Sequence, residues 1–136
     1  MKRFVLDCNV WISIFLQHRN SKLIDCIIEQ NLTLIYCDIL LKEFQDVHTK
    51  NSKINKRLHF NITDYVSFIS DVAEYFEPLN RVVLLNDYKD NYLVDLAHQS
   101  QSILVTNDKG FDFYKKMKHP KIEIIKAGEF YALINL

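Results

Sequence analysis

The sequence predicts an α/β fold in three layers, with helices on both sides of a central, mostly parallel five-stranded sheet. Three observations lead there. Short apolar runs of strand length alternate with longer stretches of helical periodicity along the whole chain. Two of those runs end the same way, on an acid: Phe4-Val5-Leu6-Asp7 and Ser102-Ile103-Leu104-Val105-Thr106-Asn107-Asp108. No repeat, low-complexity tract or Pro/Gly-rich linker divides the 136 residues, so they read as a single domain, 1–136, long enough for one core.

Taken in order, the first strand closes on Asp7, and Asn9 can cap a helix from about Val10 to Leu16. Leu23, Ile24, Ile27 and Ile28 recur as a buried helical stripe that Asn31 ends, and Leu32 to Cys37 forms the second strand. Asp38 can cap a helix carrying Leu40, Leu41, Phe44 and Val47, followed by a polar stretch from His48 to His59 with a helix break near Lys50 to Ser52. Asn61-Ile62-Thr63-Asp64 opens a helix with Tyr65, Phe68, Ile69, Val72 and Phe76 on its apolar positions, stopped by Pro78. Val82 to Leu85 is the expected third strand. A helix begun by Asp87 or Asp90 holds Leu93, Val94, Leu96 and Ala97, with Asp95 on its surface. The fourth strand runs from Ser102 to Thr106, then a short helix near Phe111 to Met117, a last strand at Ile122 to Ile125, and a terminal helix from Glu129 to Ile134.

Composition removes several functions. With 17 basic and 17 acidic residues the net charge is zero, so no uniformly basic surface is on offer for nucleic acid. Any anion-binding face must come from segregated charge, such as Lys115, Lys116, Lys118 and Lys121 or the cluster around Lys50 to Arg57. Three cysteines without CxxC spacing argue against a disulfide framework or a zinc knuckle and fit a reducing cytoplasm, with Cys8, Cys26 and Cys37 as packing residues. No signal-peptide pattern or membrane-spanning run is present. The two glycines, Gly110 and Gly128, cannot supply a dinucleotide or Walker loop.

The acids carry the chemistry. Each has a structural explanation of its own. Asp7 can serve a helix start, Glu43 can sit on a solvated helix face, and Asp87, Asp90 and Asp108 can favour helix N-termini by roughly 0.3–1 kcal/mol each. Together they are less ordinary. Asp7, Glu43, Asp90 and Asp108 each follow a different strand or open the helix beside it, so all four can meet at the sheet's C-terminal edge, where ligands of open α/β folds bind. Clustered carboxylates repel unless a cation neutralises them. Oxygen ligands without histidine or cysteine select hard ions, Mg²⁺ or Mn²⁺. Such ions commonly serve phosphodiester hydrolysis.

At these residues the chain resembles the PIN-domain family of metal-dependent ribonucleases, and within it the VapC-like toxins of bacterial type II toxin–antitoxin pairs. Val5-Leu6-Asp7-Cys8-Asn9-Val10-Trp11-Ile12 is similar to the family's opening, and Leu40-Leu41-Lys42-Glu43-Phe44 to its Glu-bearing helix. The segment from Asp87 to Ala97, followed by Ile103-Leu104-Val105-Thr106-Asn107-Asp108, resembles its D-x-x-D…A…VTxD block, and Ala127-Gly128-Glu129-Phe130 the ending of one branch. The likeness spans essentially the whole chain. It implies that Asp7, Glu43, Asp90 and Asp108 are the catalytic, metal-binding acids, with Asn9, Thr106 and Asp87 in support. It also implies a homodimer and an antitoxin partner. Tyr88 stands where many relatives have proline, Asn91 replaces an acid, and Phe111 occupies a further acid's slot with Asp112 one step off, so one ion or two stays open.

The resulting expectation is a cytoplasmic Mg²⁺- or Mn²⁺-dependent endoribonuclease, the toxin of a toxin–antitoxin pair, with Lys115, Lys116 and Lys118 as RNA contacts. A catalytically degraded PIN-like module that binds RNA or protein is the competing class. A phosphoacceptor switch ranks last, because Asp7 has no acidic neighbour.

Overall fold

β1 (Lys2–Leu6) is the middle strand of the sheet, and its residues explain why. Phe4, Val5 and Leu6 are all fully buried although successive strand residues face opposite sides, so both faces of the sheet are covered. Leu34 and Ile35 of β2 (Leu32–Tyr36) and Leu104 and Val105 of β4 (Ile103–Val105) repeat the pattern. The computed structural model describes residues 2–50, 56, 61–79, 91–115 and 121–136. Within them five strands form one parallel sheet in the order β3-β2-β1-β4-β5, with β3 at Glu74–Tyr75 and β5 at Ile124–Ile125. The predicted α/β class therefore holds, and every described strand pair is parallel.

Seven α-helices accompany the sheet among the described residues: α1 (Cys8–Leu16), α2 (Asn20–Gln30), α3 (Asp38–Lys50), α4 (Ile62–Val72), α5 (Asn91–Gln99), α6 (Asp112–Lys115) and α7 (Ala127–Ile134). A 3₁₀ turn, Lys109–Phe111, precedes α6. Asn31 and Asn135 end α2 and α7 in the left-handed conformation, at φ 52° and 60°, which asparagine adopts more readily than most residues. Asn61 caps α4 by accepting the Asp64 N–H at 3.0 Å. No described helix is long and apolar enough to cross a membrane.

Aromatic packing joins the helices on one side. Phe15 of α1 lies 4.3 Å between ring centroids from Tyr65 of α4, and 5.7 Å from both Phe44 of α3 and Phe68 of α4. This cluster fixes α3, and with it Glu43, relative to α1. Toward the chain's end, Phe4 meets Phe130 of α7 edge-on at 5.0 Å, and Arg19 stacks over Tyr131.

Four expectations change. Asp7, not Asn9, occupies the N-cap of α1, and Asn9 sits exposed within its first turn. Ile28 leaves the buried stripe of α2 and is 73% exposed, because Leu23, Cys26 and Ile27 take the inward positions at spacings of three and four. Phe76 is outside α4, which stops at Val72. The chain turns extended at Ala73 so that Glu74 and Tyr75 pair with Ile35 and Tyr36, and the Phe76 N–H reaches the Tyr36 carbonyl at 2.9 Å. Among the described residues this edge pair is the third strand in chain order. Val82 to Leu85 lies outside the described residues. Asp95, expected on the surface, is 1% exposed, because α5 is buried on all sides from Tyr92 to Ala97.

Candidate active site at the C-terminal edge of the sheet

β1 and β4 run side by side, with Leu6 in register with Val105, so the residues just past them emerge together. The Asp7 N–H donates to the Val105 carbonyl at 3.0 Å, which carries the strand pairing to the last residue before α1. Asp7 then turns the chain, and its carbonyl accepts the N–H groups of Val10 and Trp11. The residue is 6% exposed.

Thr106 links the two strand ends. Its hydroxyl donates to Asp7 Oδ2 at 2.7 Å and accepts the Asp108 N–H at 3.1 Å. Asp108 is exposed, caps the following 3₁₀ turn, and accepts the Gly110 N–H on Oδ1 at 2.8 Å. A Cβ on residue 110 would stand 3.2 Å from that same oxygen, a tight contact that the Asp108 side chain would have to shift slightly to accept. Asn107 turns the other way and accepts the Ala127 N–H at 2.9 Å, anchoring the start of α7.

Burial pushes the Asp7 carboxyl above its ordinary value, against the Thr106 hydroxyl and the Cys8 amide, while the nearby Asp108 charge adds to the rise. Burial also raises the Cys8 thiol, with Glu43 and Asp7 adding to it, so Cys8 stays a neutral, buried thiol beside the acids. Glu43 is half-buried on α3 and accepts a hydrogen bond from the hydroxyl of Tyr92 on α5.

The edge thus brings together Asp7, Thr106 and Asp108, with Glu43 near enough to act on the same thiol. Asn9 is exposed one turn away. Asp87, Asp90, Lys116 and Lys118 lie outside the described residues. Lys115 is exposed on α6, 3.5 Å from Asp112. Among the described residues no group of three or more His, Cys, Asp or Glu side chains is placed to hold a metal ion. The donors present do suit a hard cation. They are carboxylate oxygens, one of them desolvated and raised by its neighbour's charge, which a cation would offset. Sequence reasoning missed Tyr92. A tyrosine on an apolar helical stripe looks like core, and its only signal is that a buried hydroxyl needs a partner.

A parallel sheet of this order with two strand-end aspartates at its edge defines an α/β protein with a polar, acid-lined site. The chain belongs to the PIN-domain family, whose profile matches residues 3–110, and PIN domains are generally nucleases. It is 26% identical over 111 residues to the uncharacterized protein MJ1680 of Methanocaldococcus jannaschii, covering 79% of this chain and 71% of that one. Its fold is similar to that of a chain in the crystal structure of VapBC2 from Rickettsia felis bound to a DNA fragment from their promoter. The TM-score there is 0.60 at 15% identity, over 91% of this chain and 98% of the other. A domain of a functionally unknown M. jannaschii protein matches with a TM-score of 0.54 at 17% identity, over 93% and 91%.

Proposed function

We propose that this protein is a Mg²⁺- or Mn²⁺-dependent endoribonuclease and the toxin of a type II toxin–antitoxin pair, acting in the cytoplasm. The observation that carries the reading is the Asp7 carboxylate, buried at the end of β1 and joined to Asp108 through Thr106. Family membership supports nuclease chemistry, and the fold shared with a VapBC2 chain supports an antitoxin partner.

In this reading Asp7 and Asp108 hold the cation, with Glu43 and Asp90 completing its ligands and Asn9 and Asp87 in support. When bound, the ion supplies activation of a water and charge compensation at the scissile phosphate. The chain's own residues do the rest. Thr106 fixes the rotamer of Asp7 by a charge-assisted hydrogen bond and ties it to the backbone of Asp108, so the two carboxylates keep one spacing. Gly110 holds Asp108 through Oδ1. Lys115, with Lys116 and Lys118 beyond it in the sequence, offers positive charge for the RNA backbone. A homodimer belongs to the same reading.

The test is cleavage of RNA by purified protein with Mn²⁺, alongside Asp7→Asn and EDTA controls. Cleavage lost in both controls is the expected result. Undiminished cleavage by the Asp7→Asn protein would refute the reading. The other class is a PIN-like module that binds RNA or protein without catalysis. RNA binding with no Mn²⁺ uptake by calorimetry would decide for it.

A further inference from the structure

Tyr92 has no part in the chemistry above, yet its hydroxyl is spent on Glu43. The two residues are 49 apart in sequence and come from helices on opposite sides of β1 in the sheet order. α3 follows β2 and α5 precedes β4, with β1 between them. Their hydrogen bond therefore spans the end of the strand that delivers Asp7. Tyr92 is only 6% exposed, its hydroxyl is bonded to Glu43, and the Asp7 carboxylate also acts on it.

We propose that Tyr92 is a positioning residue. By donating its hydroxyl to Glu43 across the end of β1, it holds the Glu43 carboxylate in one orientation at the edge that carries Asp7 and Asp108, where it would contribute to a cation site together with further ligands. The inference rests on the cation-dependent reading above and adds to it a residue outside the acid set. A glutamate side chain has several rotamers, and ordering it costs entropy on binding unless the fold orders it beforehand. A carboxylate has about four lone-pair sites, so one hydroxyl donor orients it without consuming its capacity for a cation. Groups that hydrogen-bond to metal ligands commonly set affinity in this way.

The test is Mn²⁺ affinity by calorimetry for wild type, Tyr92→Phe, Glu43→Ala and the double variant, with urea unfolding of all four in EDTA. Phenylalanine keeps the ring, so the packing of α5 is retained. Tyr92→Phe is expected to weaken Mn²⁺ binding about 10–100-fold. Glu43→Ala should weaken it at least as much, and the double variant no further than Glu43→Ala. In EDTA the two substitutions should also be non-additive, which shows the bond independently of any cation. Wild-type Mn²⁺ affinity in Tyr92→Phe overturns the positioning role, as do losses that multiply in the double variant. Additive unfolding effects in EDTA overturn it too. Wild-type protein that takes up no Mn²⁺ is a different failure. It removes the cation site itself, and the positioning role with it, whatever the EDTA cycle shows.

Discussion

Thr106 donates its hydroxyl to Asp7 at 2.7 Å, although 99 residues separate them in sequence. The bond exists because β1 and β4 are neighbours in the sheet and stop at the same level, Leu6 against Val105. One hydroxyl then serves both acids, as donor to Asp7 and as acceptor for the Asp108 N–H. Replacing Thr106 by valine keeps the shape and removes both contacts. The expected cost is about 1.5–3 kcal/mol, the range for a hydrogen bond to a charged group, read by urea unfolding in EDTA. Cleavage should fall roughly 10–100-fold, and Thr106→Ser should retain most of it. A valine variant as stable and as active as wild type would show that the bridge does nothing.

Asp7 gives a pH prediction. Its carboxyl is raised, first by burial, so folding is less favourable with this group charged than with it protonated. A group raised on folding contributes stability that is fully present below its unfolded value, about 3.9 for Asp, and lost as pH climbs through the folded value. In EDTA the wild type should therefore lose stability from this group on going from acid to neutral pH, and Asp7→Asn should not. Asparagine can still accept the Thr106 hydrogen bond. The measurable outcome is a higher melting temperature for Asp7→Asn at pH 7, with the gap closing toward the acid side. Added Mn²⁺ should raise wild type and leave the variant unmoved. Parallel pH profiles for the two proteins would contradict the account.

Phe15 is the anchor of the helical layer that carries Glu43, touching rings on α3 and α4. Phe15→Ala is expected to destabilise by about 3–5 kcal/mol. Ile28→Ala, on the exposed side of α2, should stay within about 0.5 kcal/mol. Denaturant midpoints compare the two directly. Similar losses at both sites would mean the aromatic cluster is not the core it is taken to be.

Lys115 pairs with Asp112 three residues earlier on an exposed surface, an arrangement worth little to stability. Lys115→Ala should leave the unfolding midpoint nearly unchanged. If the basic run contacts RNA phosphates, replacing Lys115, Lys116 and Lys118 by alanine flattens the salt dependence of RNA binding. Each lost contact removes roughly 0.7 from the slope of log affinity against log salt for a single strand. The Asp7→Asn background keeps the RNA intact during the measurement. An unchanged slope would remove these lysines from the interface.

Apolar runs and turn residues suffice to determine the alternation of strands and helices, because burial on both faces demands continuous apolar strands and helix stripes demand a period near 3.6. They also place Asp7 and Asp108 at strand ends, and the residues around them carry the family likeness. What tertiary structure decided lies between segments. The sheet's outer strand became Glu74–Tyr75, since the free edge of β2 outweighs the local helical pattern through Phe76. Ile28 faced outward and Asp95 was buried, because a helix's exposure depends on what packs against it and not on its own composition. The bridge from Thr106 to Asp7 and the bond from Tyr92 to Glu43 join residues 99 and 49 positions apart. Strand order alone makes those residues neighbours, and no periodicity along the chain encodes strand order.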